Sequence, residues 1–220
     1  MQRLRGAALL ATAMWLVIHV AAQERVEPRA RSFDDEPIGG QPQGFRFIES
    51  RDAAPDRWTV QKDGSDIALL HAGGLQGGGL ALALLAQPAL VELTVSARVK
   101  MKGEALAAGL VWRYENPDNY YLVQLHLNEQ SIGFYRMVRG NRVLIEEEDD
   151  LELDQSAWHT VRIRQGDEGV RVYLGGVRVF EARDRTWRDA GAFGVWASGG
   201  TTALFDDLRV EPREQRRRGP

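Results

Sequence analysis

The chain has 220 residues, with 28 Lys and Arg against 31 Asp and Glu, a formal net charge of −3, and 44% hydrophobic residues. So even a balance supplies no global attraction to nucleic acid. There is no cysteine, which excludes disulfides, thiolate zinc sites and thiol catalysis and leaves stability to an apolar core.

Residues 1–22 carry Arg3 and Arg5, then an apolar run from Ala7 to Ala22 interrupted by Thr12 and His19, with Val20-Ala21-Ala22 before the polar Gln23. This is the order of a secretory signal peptide, either cleaved after Ala22 or retained as an anchor. No later stretch is apolar for long enough to cross a bilayer, so the expectation is an extracytoplasmic protein, periplasmic or secreted, with no membrane span after cleavage. Residues 23–32 are polar and contain Pro28, the composition of a linker. Residues 33–210 are one domain's worth, enough to bury a core without staples. Residues 211–220 carry Arg213, Arg216, Arg217 and Arg218 and read as a solvated, disordered basic tail.

Within the domain, hydrophobicity alternates with period two, the signature of strands with one buried face. Gly73 to Leu85 is apolar but rich in glycine, and Leu80, Leu82 and Leu84 suit a strand. Leu90 to Lys100 places Val91, Leu93, Val95, Ala97 and Val99 on one face, with Glu92, Thr94, Ser96, Arg98 and Lys100 opposite. From Ala108 to Met137 three strand-like runs are separated by short turn-rich breaks. In the second, Tyr121, Val123, Leu125 and Leu127 alternate with Tyr120, Leu122, Gln124 and His126. Arg139-Gly140-Asn141 and Gly175-Gly176 mark tight hairpin turns, since glycine supplies the positive φ they require. Trp158 to Gln165, Val170 to Leu174 and Val177 to Ala182 continue the series, with Arg162, Arg164, Arg171 and Arg178 facing solvent. Phe205 to Val210 changes phase, and a β-bulge at Asp206-Asp207 would reconcile its apolar positions. With no helical stretch of a dozen residues, the chain is predicted to be all-β, two antiparallel sheets packed face to face.

The runs AGLVWRYENPDNYYLVQL, GFYRMVRGNRVLIE, WHTVRIR, VRVYLGGVRVFEARD, AGAFGVWASGG and FDDLRV resemble the concanavalin A-like lectin and glucanase superfamily. More narrowly, they look like bacterial laminin-G-like domains and the 3-keto-disaccharide hydrolase domain family. The resemblance spans about Phe33 to Val210 and implies a jelly-roll sandwich whose concave sheet holds ligands. Trp158-His159-Thr160 matches the Trp-His strand of that family, although Gly175 stands where the following turn usually has aspartate.

On this scheme Leu110, Trp112 and Tyr114 face the core and Gly109, Val111 and Arg113 face out, while Phe193, Val195 and Ala197 face in and Gly194 and Trp196 out. The candidate ligand-binding set is therefore Arg113, Tyr120, Gln124, His126 and Trp196, aromatics beside forked and amide donors that suit sugar C–H faces and hydroxyls. Buried aromatics and a carboxylate-paired Arg113 would explain the same residues without a ligand. Glu148-Asp149-Asp150-Leu151-Glu152 formally fits the Glu-x-Asp-x-Glu strand of the glucanases, but Asp149 would occupy an apolar slot, so a solvated acidic loop competes with it. Asp206 and Asp207, joined by Asp34 or Asp35, would offer oxygen ligands for a structural calcium, or else hydrogen-bond turn backbone. Three functions follow: an exported module binding a glycan on the concave face, a hydrolase acting on a 3-keto-glycoside with His126 as its base, or an envelope protein-interaction domain without catalysis.

Overall fold

A computed structural model describes residues 29–49, 57–74, 79–87, 89–103 and 106–213. They form two antiparallel sheets and no α-helix. The first sheet runs β13 (Val177–Ala182), β12 (Gly169–Leu174), β11 (His159–Gly166), β6 (Leu93–Lys102), β15 (Thr202–Pro212), β4 (Asp66–Ala72) and β3 (Trp58–Asp63), with β1 (Arg29–Arg31) also on β15. The second runs β10 (Asn141–Glu148), β9 (Ser131–Val138), β8 (Asn119–His126), β7 (Ala107–Asn116), β14 (Ala192–Ser198), β5 (Leu80–Leu85) and β2 (Phe45–Glu49).

Alternation in sequence becomes alternation in burial. Along β6, Leu93, Val95, Ala97, Val99 and Met101 enter the space between the sheets, while Thr94, Ser96, Arg98 and Lys100 face out. Tyr121, Val123 and Leu125 of β8 meet them from the opposite sheet. Polar tips in this core find partners, as burial requires. The Trp112 indole donates across the sandwich to Gln165 Oε1 at 3.1 Å. The Tyr121 hydroxyl donates to Asp184 at 2.5 Å and accepts from the Trp187 backbone N–H at 3.1 Å, which ties the connection before β14 to the end of the sandwich.

Arg139 and Gly140 both have positive φ at the β9–β10 turn, as do Gly175 and Gly176 at β12–β13, so both hairpins carry the twist their sequences predict. The ladder also departs from the sequence reading. Arg29–Arg31, inside the segment read as a linker, pairs with Leu208 to Val210. Strand β6 begins at Leu93, so Val91 is exposed and Glu92 is buried, the reverse of simple alternation. The first 22 residues and the tail beyond Arg213 lie outside the described residues.

Candidate functional site

The outer face of the second sheet carries its own apolar layer: Leu82, Leu84, Val111, Tyr114, Tyr120, Leu122, Tyr135 and Trp196. Strand pairing sets Trp196, Gly109, Gln124 and Gly133 side by side in one row across β14, β7, β8 and β9. His126 and Ser131 occupy the next row. Tyr120, Gln124, His126 and Trp196 thus share the predicted face.

Arg113 does not join them. A bulge between Trp112 and Asn116 sets Arg113 at φ 48° and breaks the alternation. Its guanidinium instead donates to the backbone carbonyls of Trp187 and of Val91, at the end of the sandwich. The same bulge moves Tyr114, expected in the core, onto the outer face, where it stacks on Tyr120 at 5.8 Å between centroids.

Polar groups gather where β8, β9 and β10 meet. Arg142 Nη1 donates to Gln124 Oε1 at 2.9 Å, and its guanidinium lies 5.0 Å from the centre of the Tyr135 ring. A Cβ on Gly133 would come within 2.6 Å of that ring, so Tyr135 lies flat over its own strand only because residue 133 is glycine. Ser131 donates to Glu147 Oε1 at 3.1 Å. The His126 ring stands edge-on to Tyr135 at 6.4 Å, with Nδ1 3.5 Å from Glu129. Its Nε2 has no hydrogen-bond partner among the described residues.

Burial governs the protonation of this cluster. It pushes the Tyr120 hydroxyl up to about 12, helped by Tyr114 and opposed by Arg142 and Trp196. It raises Tyr135 as well, with Glu147 adding and Arg142 opposing. It lowers His126 below its ordinary 6.5, Glu129 opposing and Arg142 assisting. His126 is therefore a neutral imidazole near neutral pH. A folded-state pKa held below the unfolded value gives stability that is complete above 6.5 and is lost as pH falls through the folded value. Melting temperature is expected to fall between pH 7.5 and 5, less steeply in His126→Gln; His71, also lowered by burial, keeps part of the slope.

Neither acidic motif builds a centre on this face. Strand β10 ends at Glu148 and Asp150 turns with φ 54°, so Glu148, Asp150 and Glu152 are exposed and do not follow one another along one strand face. The bulge foreseen at Asp206-Asp207 is present, with Asp207 at φ 50°. Both carboxylates reach Arg98, at 2.5 Å and 3.0 Å, with Asp66 at 3.2 Å and the Trp158 ring 4.8 Å away. Arg98 thus sits among these acids, and no group of three His, Asp or Glu side chains among the described residues is arranged to hold a metal ion.

Tyr135, Ser131, Arg142 and Glu147 were absent from the candidates read in the sequence. Three of them had a usable signal. Ser131, Gly133, Tyr135 and Met137 alternate, and counting back from the Arg139-Gly140 turn puts Arg142 opposite Met137. Glu147 had none, because a bulge between Leu144 and Glu146 decides which way it points.

The carbohydrate-binding module CBM66 from Bacillus subtilis superposes with a TM-score of 0.61 at 17% identity, covering 80% of this chain and 99% of that one. A galectin-like fold protein from Bacillus subtilis gives 0.58 at 12% over 78% and 90%. A beta-1,3-glucanase from Mycobacterium marinum gives 0.53 at 16% over 83% and 97%. The fold is a concanavalin A-like jelly roll. At these identities the likeness fixes the jelly roll and leaves the chemistry to the side chains. No protein-family model and no curated protein matches the chain.

Proposed function

We propose that this jelly roll is an exported carbohydrate-binding module, and that it holds a glycan on the outer face of its second sheet, at the edge where Gln124, His126, Tyr135 and Arg142 meet. The observation that carries this reading is the Arg142 fork, bonded to the Gln124 amide and laid over Tyr135. An exposed planar cation held in fixed relation to a buried amide and an aromatic ring can present its free N–H groups to sugar hydroxyls. The exposed Glu129 and Glu147 beside His126 add acceptors. The similarity in fold to a carbohydrate-binding module agrees with the proposal. Export rests on residues 1–22, and a sugar ligand outside the cytoplasm is consistent with it. Hydrolysis by a pair of carboxyl groups is the weaker reading, because the 148–152 run supplies no acid pair across a cleft.

Arg142 is exposed and its loss leaves the core intact, so Arg142→Ala tests the site without confounding the fold. Losing a charge-assisted hydrogen-bonding group is expected to weaken glycan retention by about tenfold or more. The measurement is retention of the intact protein and the variant on a glycan array and by affinity electrophoresis. If no glycan retains the intact protein, or the variant is retained equally, the reading is withdrawn.

A further inference from the structure

At the end of the sandwich, away from the glycan face, a cavity of about 220 Å³ opens between the β11–β12 turn and the 183–188 connection. Arg113 forms part of its wall with a side chain 8% exposed. Both terminal nitrogens are spent on carbonyl oxygens, of Trp187 and Val91, and no carboxylate forms an ion pair with it among the described residues. Glu92 and Asp189 act on it only from beyond ion-pair distance, so the cost of burying this cation is partly offset and the position favours an anion.

The surrounding charges point the same way. Arg183, Arg185 and Arg188 line the mouth, exposed, and form no ion pair among the described residues. Two of the three acids of the same wall are already engaged, and Asp167 is not paired with a cation among the described residues. Asp184 takes the Tyr121 hydroxyl and the Arg136 guanidinium, and Glu168 takes Arg171. Glu92, buried beneath Gly166, is raised by its burial and then by its neighbour Asp167, with Arg213 and Arg113 opposing. Against Asp167, Glu92 and Asp189, the arginines Arg113, Arg183, Arg185 and Arg188 leave an excess of positive charge around the cavity.

We infer that this cavity is a second binding site, separate from the glycan face, and takes a small oxyanion: the carboxylate of an acidic sugar, or free phosphate. The volume fits one such group with at most a single sugar ring, well short of the several hundred Å³ of pockets that enclose larger ligands. Backbone carbonyls hold Arg113 in place, so its charge is fixed before the ligand arrives, and the three rim arginines close over it by hydrogen bonds to the oxygens.

The test is thermal shift and calorimetric titration of the full chain with glucuronate, inorganic phosphate, glucose and chloride at constant ionic strength. Saturable stabilisation by glucuronate but not phosphate assigns an acidic sugar, and stabilisation by phosphate assigns the free oxyanion; either supports the site. Glucose and chloride are expected to do nothing. Arg113→Gln removes the central charge, and because that side chain is buried, the surface pair Arg185→Ala with Arg188→Ala provides a variant that keeps the fold. The pair is expected to bind about tenfold more weakly. No saturable shift with either oxyanion, an equal shift with chloride, or unchanged affinity in the folded rim variant overturns the inference. None of these outcomes bears on the Arg142 glycan site.

Discussion

Trp196→Ala is expected to destabilise the protein by about 3–5 kcal/mol, the usual cost of removing a large buried aromatic. Trp196 is only 6% exposed and packs on the outer face of the second sheet with Leu82, Leu84, Tyr114 and Tyr120. For a domain of this size, at about 2–4 °C per kcal/mol, the melting temperature would drop on the order of 10 °C. Circular dichroism melts of the two proteins measure it. A drop of a degree or two would mean that the indole stands free on the surface, and Trp196 would return to the sugar site as a stacking platform. This expectation also sets the choice of functional variant. Lost glycan retention in Trp196→Ala would mix binding with unfolding, whereas Arg142→Ala separates them.

Gly109→Ala is expected to be at least as damaging, with a loss of about 3 kcal/mol or more, at the upper end for overpacking. An added Cβ would stand 1.9 Å from the Val123 carbonyl oxygen and 2.9 Å from its carbon, and neither is the end of a flexible side chain. The ladder between β7 and β8 is regular from Ala107 to Trp112, so Val123 cannot retreat without breaking the pairing that positions Gln124 and His126. Gly40→Ala is the control: its added Cβ would meet only the Pro37 carbonyl oxygen, at 3.5 Å, and its effect should stay within about 0.5 kcal/mol. Chemical denaturation of both variants measures the difference. Equal stabilities would show that β7 and β8 tolerate a shift, and that Gly109 is not what holds the row from Trp196 to Gly133 together.

Both expectations draw on a face whose membership was largely legible in the sequence. Tyr120, Gln124 and His126 fall on one side of β8, and Tyr121, Val123 and Leu125 on the other, because the period of two is a property of the strand itself. The same holds for Gly194 and Trp196 against Phe193 and Val195. The turns at Arg139-Gly140 and Gly175-Gly176 were equally legible, since glycine occupies three of their four positive-φ positions. Local chemistry, however, does not report what lies across a sheet. Asp206 and Asp207 are neighbours in sequence, but their partner Arg98, 108 residues from Asp206, meets them only once β6 lies beside β15.

The residues themselves determine that this chain is an alternating, cysteine-free β protein with two unlike faces on β8, because side-chain direction in a strand depends only on backbone geometry. Tertiary structure alone decided that Arg113 leaves the outer face of the second sheet for the end cavity, that Tyr114 takes a place on that face, and that Glu147 turns toward Ser131. Each depends on a bulge, and a bulge is an extra residue counted against a partner strand; its position is set by which inter-strand register buries the most apolar surface, a quantity that no single strand contains.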